Sequence, residues 1–303
     1  MAVSRGKLIA AFAAVYVIWG STYLAILFAI ETIPPLLMAA WRFSIAGLIL
    51  YGWARRSESA PPTRIQWRNA AMVGALLLVG GNASVVLAER LVPSGLSALL
   101  VATTPIFIVL IEWLRPHGTK PSLGVIAGVL LGAIGLFVLI GPSALHPANG
   151  ELRIAGVALL TFASFAWAAG SIVSQHVELP SSATLATGMQ MICGGAILVV
   201  LSLIMGEPMH FDVSQISARS LAGLLYLVTF GSMIAYSAFV WLLRVAPPAH
   251  VATYAYVNPV VALFLGWAFA GEQMSARTVV ASAIIIAAVA LITTARGSTH
   301  PET

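Results

Sequence analysis

Ten apolar runs, each roughly twenty residues long, follow one another along this chain with only short polar turns between them. A helix rises about 1.5 Å per residue and the hydrocarbon core of a bilayer is about 30 Å thick, so runs of this length are read as membrane-crossing helices. They fall at 8–30, 34–54, 68–88, 93–114 and 121–141, then at 154–176, 182–205, 217–242, 247–270 and 276–295. Turn chemistry separates them, as in ETIPP at 31–35, RPHGTKP at 115–121 and HPANGE at 146–151. Only 8% of the 303 residues are charged and 60% are hydrophobic, whereas soluble domains are about a quarter charged. The expected fold is therefore all-α and integral to the membrane. No loop is long enough to hold a separate soluble domain, so the function belongs to the lipid-embedded part.

The N-terminal stretch MAVSRGKLIAAFAAV imitates a secretory signal, with Arg5 and Lys7 ahead of an apolar segment. That segment continues to Ile30, long enough to span, and is expected to be retained as the first helix. Cys193 is the sole cysteine, which rules out an intrachain disulfide. The formal charge of +5 is scattered over short loops and does not build a nucleic-acid surface.

The chain repeats itself. Residues 90–113, RLVPSGLSALLVATTPIFIVLIEW, align without a gap on 244–267, RVAPPAHVATYAYVNPVVALFLGW, at a separation of 154 residues. Arg90 falls on Arg244, Pro93 on Pro247, Pro105 on Pro259 and Trp113 on Trp267. A weaker echo joins Trp19-Gly20-Ser21 to Trp167 and Gly170-Ser171. Two five-helix units, 8–141 and 154–295, follow. Because each has an odd number of helices, the second enters the bilayer in the opposite sense, the inverted-repeat plan of alternating-access transporters. Basic residues choose the orientation: Arg55, Arg56, Arg64, Arg68, Arg115 and Lys120 fall on the side of the N-terminus, which makes both termini cytoplasmic.

The repeated blocks, the Trp-Gly of the first helix, Arg42 in AAWRF, Asn258-Pro259-Val260 and the Gly271-Glu272 that closes the ninth helix resemble the EamA-type members of the drug/metabolite transporter superfamily. Within it the chain is most similar to aromatic amino-acid exporters of the YddG type. The resemblance covers nearly the whole chain and implies a bacterial inner-membrane, multi-pass protein exporting small metabolites. It also implies a central cavity lined chiefly by the first, third, fourth, sixth, eighth and ninth helices. One departure is that the first unit has His117-Gly118 where the second has Gly271-Glu272.

Pro105 and Pro259 deprive the carbonyls of Val101 and Ala255 of helical donors, so two matching breaks near mid-membrane are expected, serving as hinges. The plainer alternative is a pair of packed kinks. Tyr16, Trp19 and Tyr23 share a face of the first helix; Trp167, Ser171 and Gln175 stripe the sixth, and Tyr254 and Asn258 share a face of the ninth. With Asn82 of the third helix, the candidate substrate-binding set is Trp19, Tyr23, Asn82, Trp167, Ser171, Gln175, Tyr254 and Asn258. Each of these singly is equally a packing residue. Trp53, Trp67, Trp113, Trp241 and Trp267 lie near helix ends as interfacial anchors. Arg42 is a functional candidate by burial, or a side chain that snorkels or pairs with Glu31 or Glu89.

A polar, uncharged, aromatic lining suits neutral and aromatic zwitterionic amino acids, with multidrug or other amphipathic-metabolite efflux as the alternative. No carboxylate stands at mid-membrane, so proton coupling and facilitated movement stay open. Neither H-E-x-x-H nor a Walker loop is present, and every histidine maps to a loop, a helix end or the tail. An embedded enzyme or a helical scaffold is thus the remote reading, with no cofactor and no metal expected. Partners are the small-molecule substrate and the lipid bilayer, the protein being a monomer or weak dimer.

Overall fold

The computed structural model describes residues 4–58, 60–88, 91, 97, 100–116, 118, 120–140, 150–261 and 276–295, and no strand occurs among them. The helices are α1 (Arg5–Ala29), α2 (Pro35–Arg55), α3 (Arg64–Ala88), α4 (Thr104–Leu114) and α5 (Leu123–Ile140). Then come α6 (Gly150–His176), α7 (Ala183–Ile204) and α8 (Ala218–Val245). Next, α9 starts at Pro248–Val251 and resumes over 254–261, and α10 is Ala276–Thr294. By length and composition α2, α3, α6, α7 and α8 can each cross a membrane, while α4, α5 and α10 contain shorter apolar stretches. Leu48, Ile49, Phe162, Phe165, Val200 and Leu203 are exposed on the outside, a surface that suits hydrocarbon rather than water.

Lipid offers helices no hydrophobic drive to associate, so close backbone approach has to hold them together. Between α2 and α7 this is achieved by glycine. A Cβ on Gly47 would lie 2.8 Å from the Ile192 nitrogen, one on Gly188 2.7 Å from the Tyr51 nitrogen, and one on Gly195 2.5 Å from Ser44 Oγ. The two backbones thus come close at all three glycines, with only Ser44 Oγ and Met191 Cβ beside them. The N-terminus of α2 is held across the molecule by Glu207, whose carboxylate accepts from the amides of Leu36 (3.2 Å) and Leu37 (2.8 Å), an anion at the positive end of a helix.

α3 and α8 start alike. Thr63 caps α3 in a reciprocal box with Gln66, and Ser217, 154 residues later, accepts from the Ser220 amide at 3.0 Å to cap α8. Both then widen into π-helix, over Ala75–Ala83 and Leu227–Tyr236. Stretches this long are uncommon and collect at functional sites. Nothing in the apolar periodicity announced them.

Each unit carries a helical interruption, but the two do not fall at matching positions. In the first unit the helix is interrupted at 102–103, where Thr103 N donates to Leu100 O at 3.0 Å and Ile106 N to Thr103 O at 2.9 Å. Pro105 follows in the first turn of α4, where its missing donor costs nothing. In the second unit the interruption is at 252–253, and Pro259 sits inside the resumed helix rather than at the break. The proline therefore trails its break by about one helical turn more than Pro105 does. The carbonyl of Val101, expected to stand free, accepts from the Thr104 hydroxyl at 2.6 Å.

Candidate functional site

A cavity of about 90 Å³ opens where α1, α2, α3, α6, α9 and the first break converge. α1 contributes Trp19, Thr22 and Ile26; α3 contributes Gly81, Asn82 and Val85 from its widened end; α6 contributes Ala163, Ser164 and Trp167. Val101 and Thr104 flank the first break, Tyr254 and Asn258 come from α9, and Arg42 from α2. All lie toward the end of the bundle at which α1 and α3 finish and α2 begins. α2 had not been expected in the lining. α8, which had, contributes no lining residue; its Gly231 and Phe239 back the Trp19 ring.

One wall is aromatic. The Trp19 ring meets Trp167 edge-on at 5.5 Å, Tyr254 at 4.9 Å and Phe239 at 5.1 Å between centroids. Trp19 Nε1 donates to Gly231 O at 3.2 Å, which fixes its ring, whereas Trp167 Nε1 is buried without a partner. The remaining polar groups are mostly acceptors. The hydroxyls of Thr22, Thr104 and Ser164 donate to the carbonyls of Trp19 (2.7 Å), Val101 (2.6 Å) and Leu100 (2.9 Å), which leaves their oxygen lone pairs available. Asn82 Oδ1 is buried and unpartnered. Asn258, in the amide orientation that satisfies it, donates to Tyr254 O at 3.1 Å and Tyr16 O at 3.2 Å. That answers how a buried asparagine beside a proline is accommodated.

Below the cavity two side-chain hydrogen bonds link helices. Tyr16 Oη and Thr253 Oγ1 lie 2.5 Å apart, and since Thr253 gives its own proton to His250 O at 2.6 Å, the tyrosine donates. The Gln175 amide donates to Leu243 O.

Arg42 is 4% exposed, and its Nε donates to Ser232 Oγ at 2.8 Å. It does not snorkel, and Glu31 pairs instead with Arg219 at 3.1 Å. Glu89 lies outside the described residues. A cation within a membrane span is costly and marks a candidate functional position.

Comparison with known proteins places this architecture. The sequence profile of the EamA-like transporter family matches residues 6–141 and, a second time, 154–294. The chain belongs to the EamA-like transporter family. Among relatives of this EamA protein, the uncharacterized inner membrane transporter YedA of Escherichia coli strain K12 is 38% identical over 92% of this chain and 88% of its own length. Protein PecM of Dickeya dadantii is 28% identical over 91% and 88%. One crystal structure superposes with a TM-score of 0.76 over 96% of this chain and 98% of its own at 19% identity, a likeness of fold alone. The EamA chain is a multi-pass inner-membrane protein.

Of the residues picked from sequence, Trp19, Asn82, Trp167, Tyr254 and Asn258 converge on the cavity of this EamA transporter. Ser171 and Gln175 are placed outside it. Ser171 turns its hydroxyl onto Trp167 O at 2.7 Å, and Gln175 donates to Leu243 O below it. The Tyr23 side chain, Gly271, Glu272 and Trp267 lie outside the described residues. Sequence reasoning left out Thr22 and Ser164, and weighed Arg42 as a functional candidate without placing it in the substrate-binding set. For Arg42 the signal was present, as a cation within an apolar run; for Ser164 it was its place 148 residues after Tyr16, the spacing of Trp19 and Trp167.

Proposed function

We propose that this EamA transporter exports small zwitterionic metabolites, neutral and aromatic amino acids among them, by alternating access. The observation that carries the reading is an aromatic wall, Trp19, Trp167 and Tyr254, facing acceptors in one cavity. Rings of this kind cover an apolar or aromatic side chain, while Asn82 Oδ1 and the threonine and serine oxygens accept from an ammonium group. The plan is ten spans in two inverted five-helix repeats, with both termini cytoplasmic. In that topology the cavity is at the outer end, and the Tyr16–Thr253 and Gln175–Leu243 links close the inner one. Pro105 and Pro259 serve as hinges beside the breaks.

Uptake by proteoliposomes containing only this protein tests the reading, with phenylalanine, methionine, glutamate and a sugar phosphate as solutes. The two neutral amino acids are expected to move, and Trp167→Ala to slow them about tenfold or more per folded molecule. Preference for glutamate or the sugar phosphate would overturn the substrate class. Topology is read separately: cysteines placed in 57–63 should be protected from an external reagent and those in 147–150 labelled.

A further inference from the structure

We propose that Arg42 Nη1 and Trp167 Nε1 form the seat for a single carboxylate, so that the cavity selects an acid bearing one negative charge and an apolar body. The inference rests on the transporter reading above and adds its anion-binding residues. Both atoms are buried without a partner, and both residues line the same cavity. The guanidinium is not loose: Nε is taken by Ser232 Oγ at 2.8 Å, and its carbon lies 4.8 Å above the Phe43 ring. Nη2 occupies the space beside Gly231, where a Cβ would lie 3.0 Å away. Among the described residues neither Nη1 nor Nη2 has a hydrogen-bond partner.

No described carboxylate forms an ion pair with it. Glu31 pairs with Arg219, Glu112 with Arg115, and Glu207 caps α2. A guanidinium held rigidly, desolvated and unneutralised is completed by an anion brought from outside, and the indole N–H supplies a second, neutral donor. A dianionic phosphate fits poorly, since one cation faces an otherwise acceptor-rich lining that includes the unpartnered Asn82 Oδ1. That same acceptor favours a ligand with a donor group besides its carboxylate.

Calorimetric titration of the purified full-length protein with four probes tests the seat. Phenylalanine and 3-phenylpropionate carry the carboxylate; phenylalaninamide and phenethylamine lack it. The first two are expected to bind at least about tenfold more tightly than the others, and Arg42→Gln to weaken them about a hundredfold, with Arg42→Lys in between. Trp167→Phe, which keeps the ring and removes the donor, should weaken them about fivefold. Equal binding of phenylalanine and phenylalaninamide by the unmutated protein would overturn the seat, and that comparison needs no variant to fold. Folded Arg42→Gln that still discriminates would overturn it too, as would binding of none of the four. If 3-phenylpropionate binds through Arg42 and phenylalanine does not, the seat stands and the amino-acid reading falls. If phenylalanine is transported with no dependence on Arg42, the seat falls and the transport reading stands.

Discussion

Tyr16, Tyr236 and Phe239 fill one side of the bundle's middle; Ser164, Asn82 and Val85, their counterparts under the sequence repetition, leave the other side open. Tyr16 and Ser164 are separated by 148 residues, like Trp19 and Trp167, while Asn82 and Tyr236, and Val85 and Phe239, are separated by 154. Each small residue lines the cavity, and each large one packs: Tyr236 is 2% and Phe239 1% exposed, and Tyr16 reaches Thr253. Arg42 and Gln190, again 148 apart, differ in the same way, since Gln190 Oε1 accepts from Tyr236 Oη at 3.0 Å while Arg42 faces the cavity. A repeated sequence is thus not a repeated environment. The aromatic groups on the filled side have to separate before any equivalent space can form there, so two faces of opening would have unequal energies by construction. Even the stitching obeys the pairing: Tyr16 of α1 secures the second break, and Ser164 of α6 secures the first by donating to Leu100 O.

The comparison can be broken most directly by making the open side like the filled one. Ser164→Tyr should lower transport about tenfold to a hundredfold per folded molecule, because a ligand would have to compete with the ring for the same volume. Normal transport by that variant would mean that size at this position does not set where the cavity lies. The two prolines offer a smaller contrast. Pro259→Ala lets an interior helix turn complete and should raise the unfolding temperature by several degrees, with about 1–3 kcal/mol involved, while slowing transport. Pro105→Ala, in a first turn, should leave the unfolding temperature within experimental scatter, and equal shifts in the two would erase the distinction drawn between the breaks. The finest test is Tyr16→Phe. Losing its hydroxyl bond to Thr253 removes about 1 kcal/mol from the end that it is proposed to close, so labelling of a cysteine placed beside Thr253 should rise about fivefold. No change would show that packing, not this bond, holds that end shut.

Much of this was visible before any coordinates. Long apolar runs mark helices because an unpaired backbone cannot survive in lipid; three- and four-residue spacing puts Trp19, and Tyr254 with Asn258, on single helix faces, and it was the family resemblance that implied those helices share a cavity with Trp167. Spacing does not reveal how a polar side chain is spent. Ser171 and Gln175 share the stripe of Trp167, yet each finds a nearby carbonyl and turns away from the cavity. For Arg42 the sequence left a functional role and a pairing with Glu31 or Glu89 side by side; Glu31 is taken by Arg219, an assignment that depends on loops the sequence does not position. The second break escaped because Pro259 drew attention to itself, while Thr253, whose hydroxyl returns to His250 O, is an unremarkable residue in sequence.

The seam between α2 and α7 determines what can travel. Two backbones that approach through Gly47, Gly188 and Gly195 have little room to slide, so under the proposed alternating access that pair would be a keel about which the rest of the hull would flex. Arg42 is carried on this keel, whereas Trp19, Trp167 and Tyr254 ride on α1, α6 and α9, the last of these interrupted. A molecule gripped at its acid end by Arg42 would be moored to the stationary part, and its side chain would feel the walls turn around it.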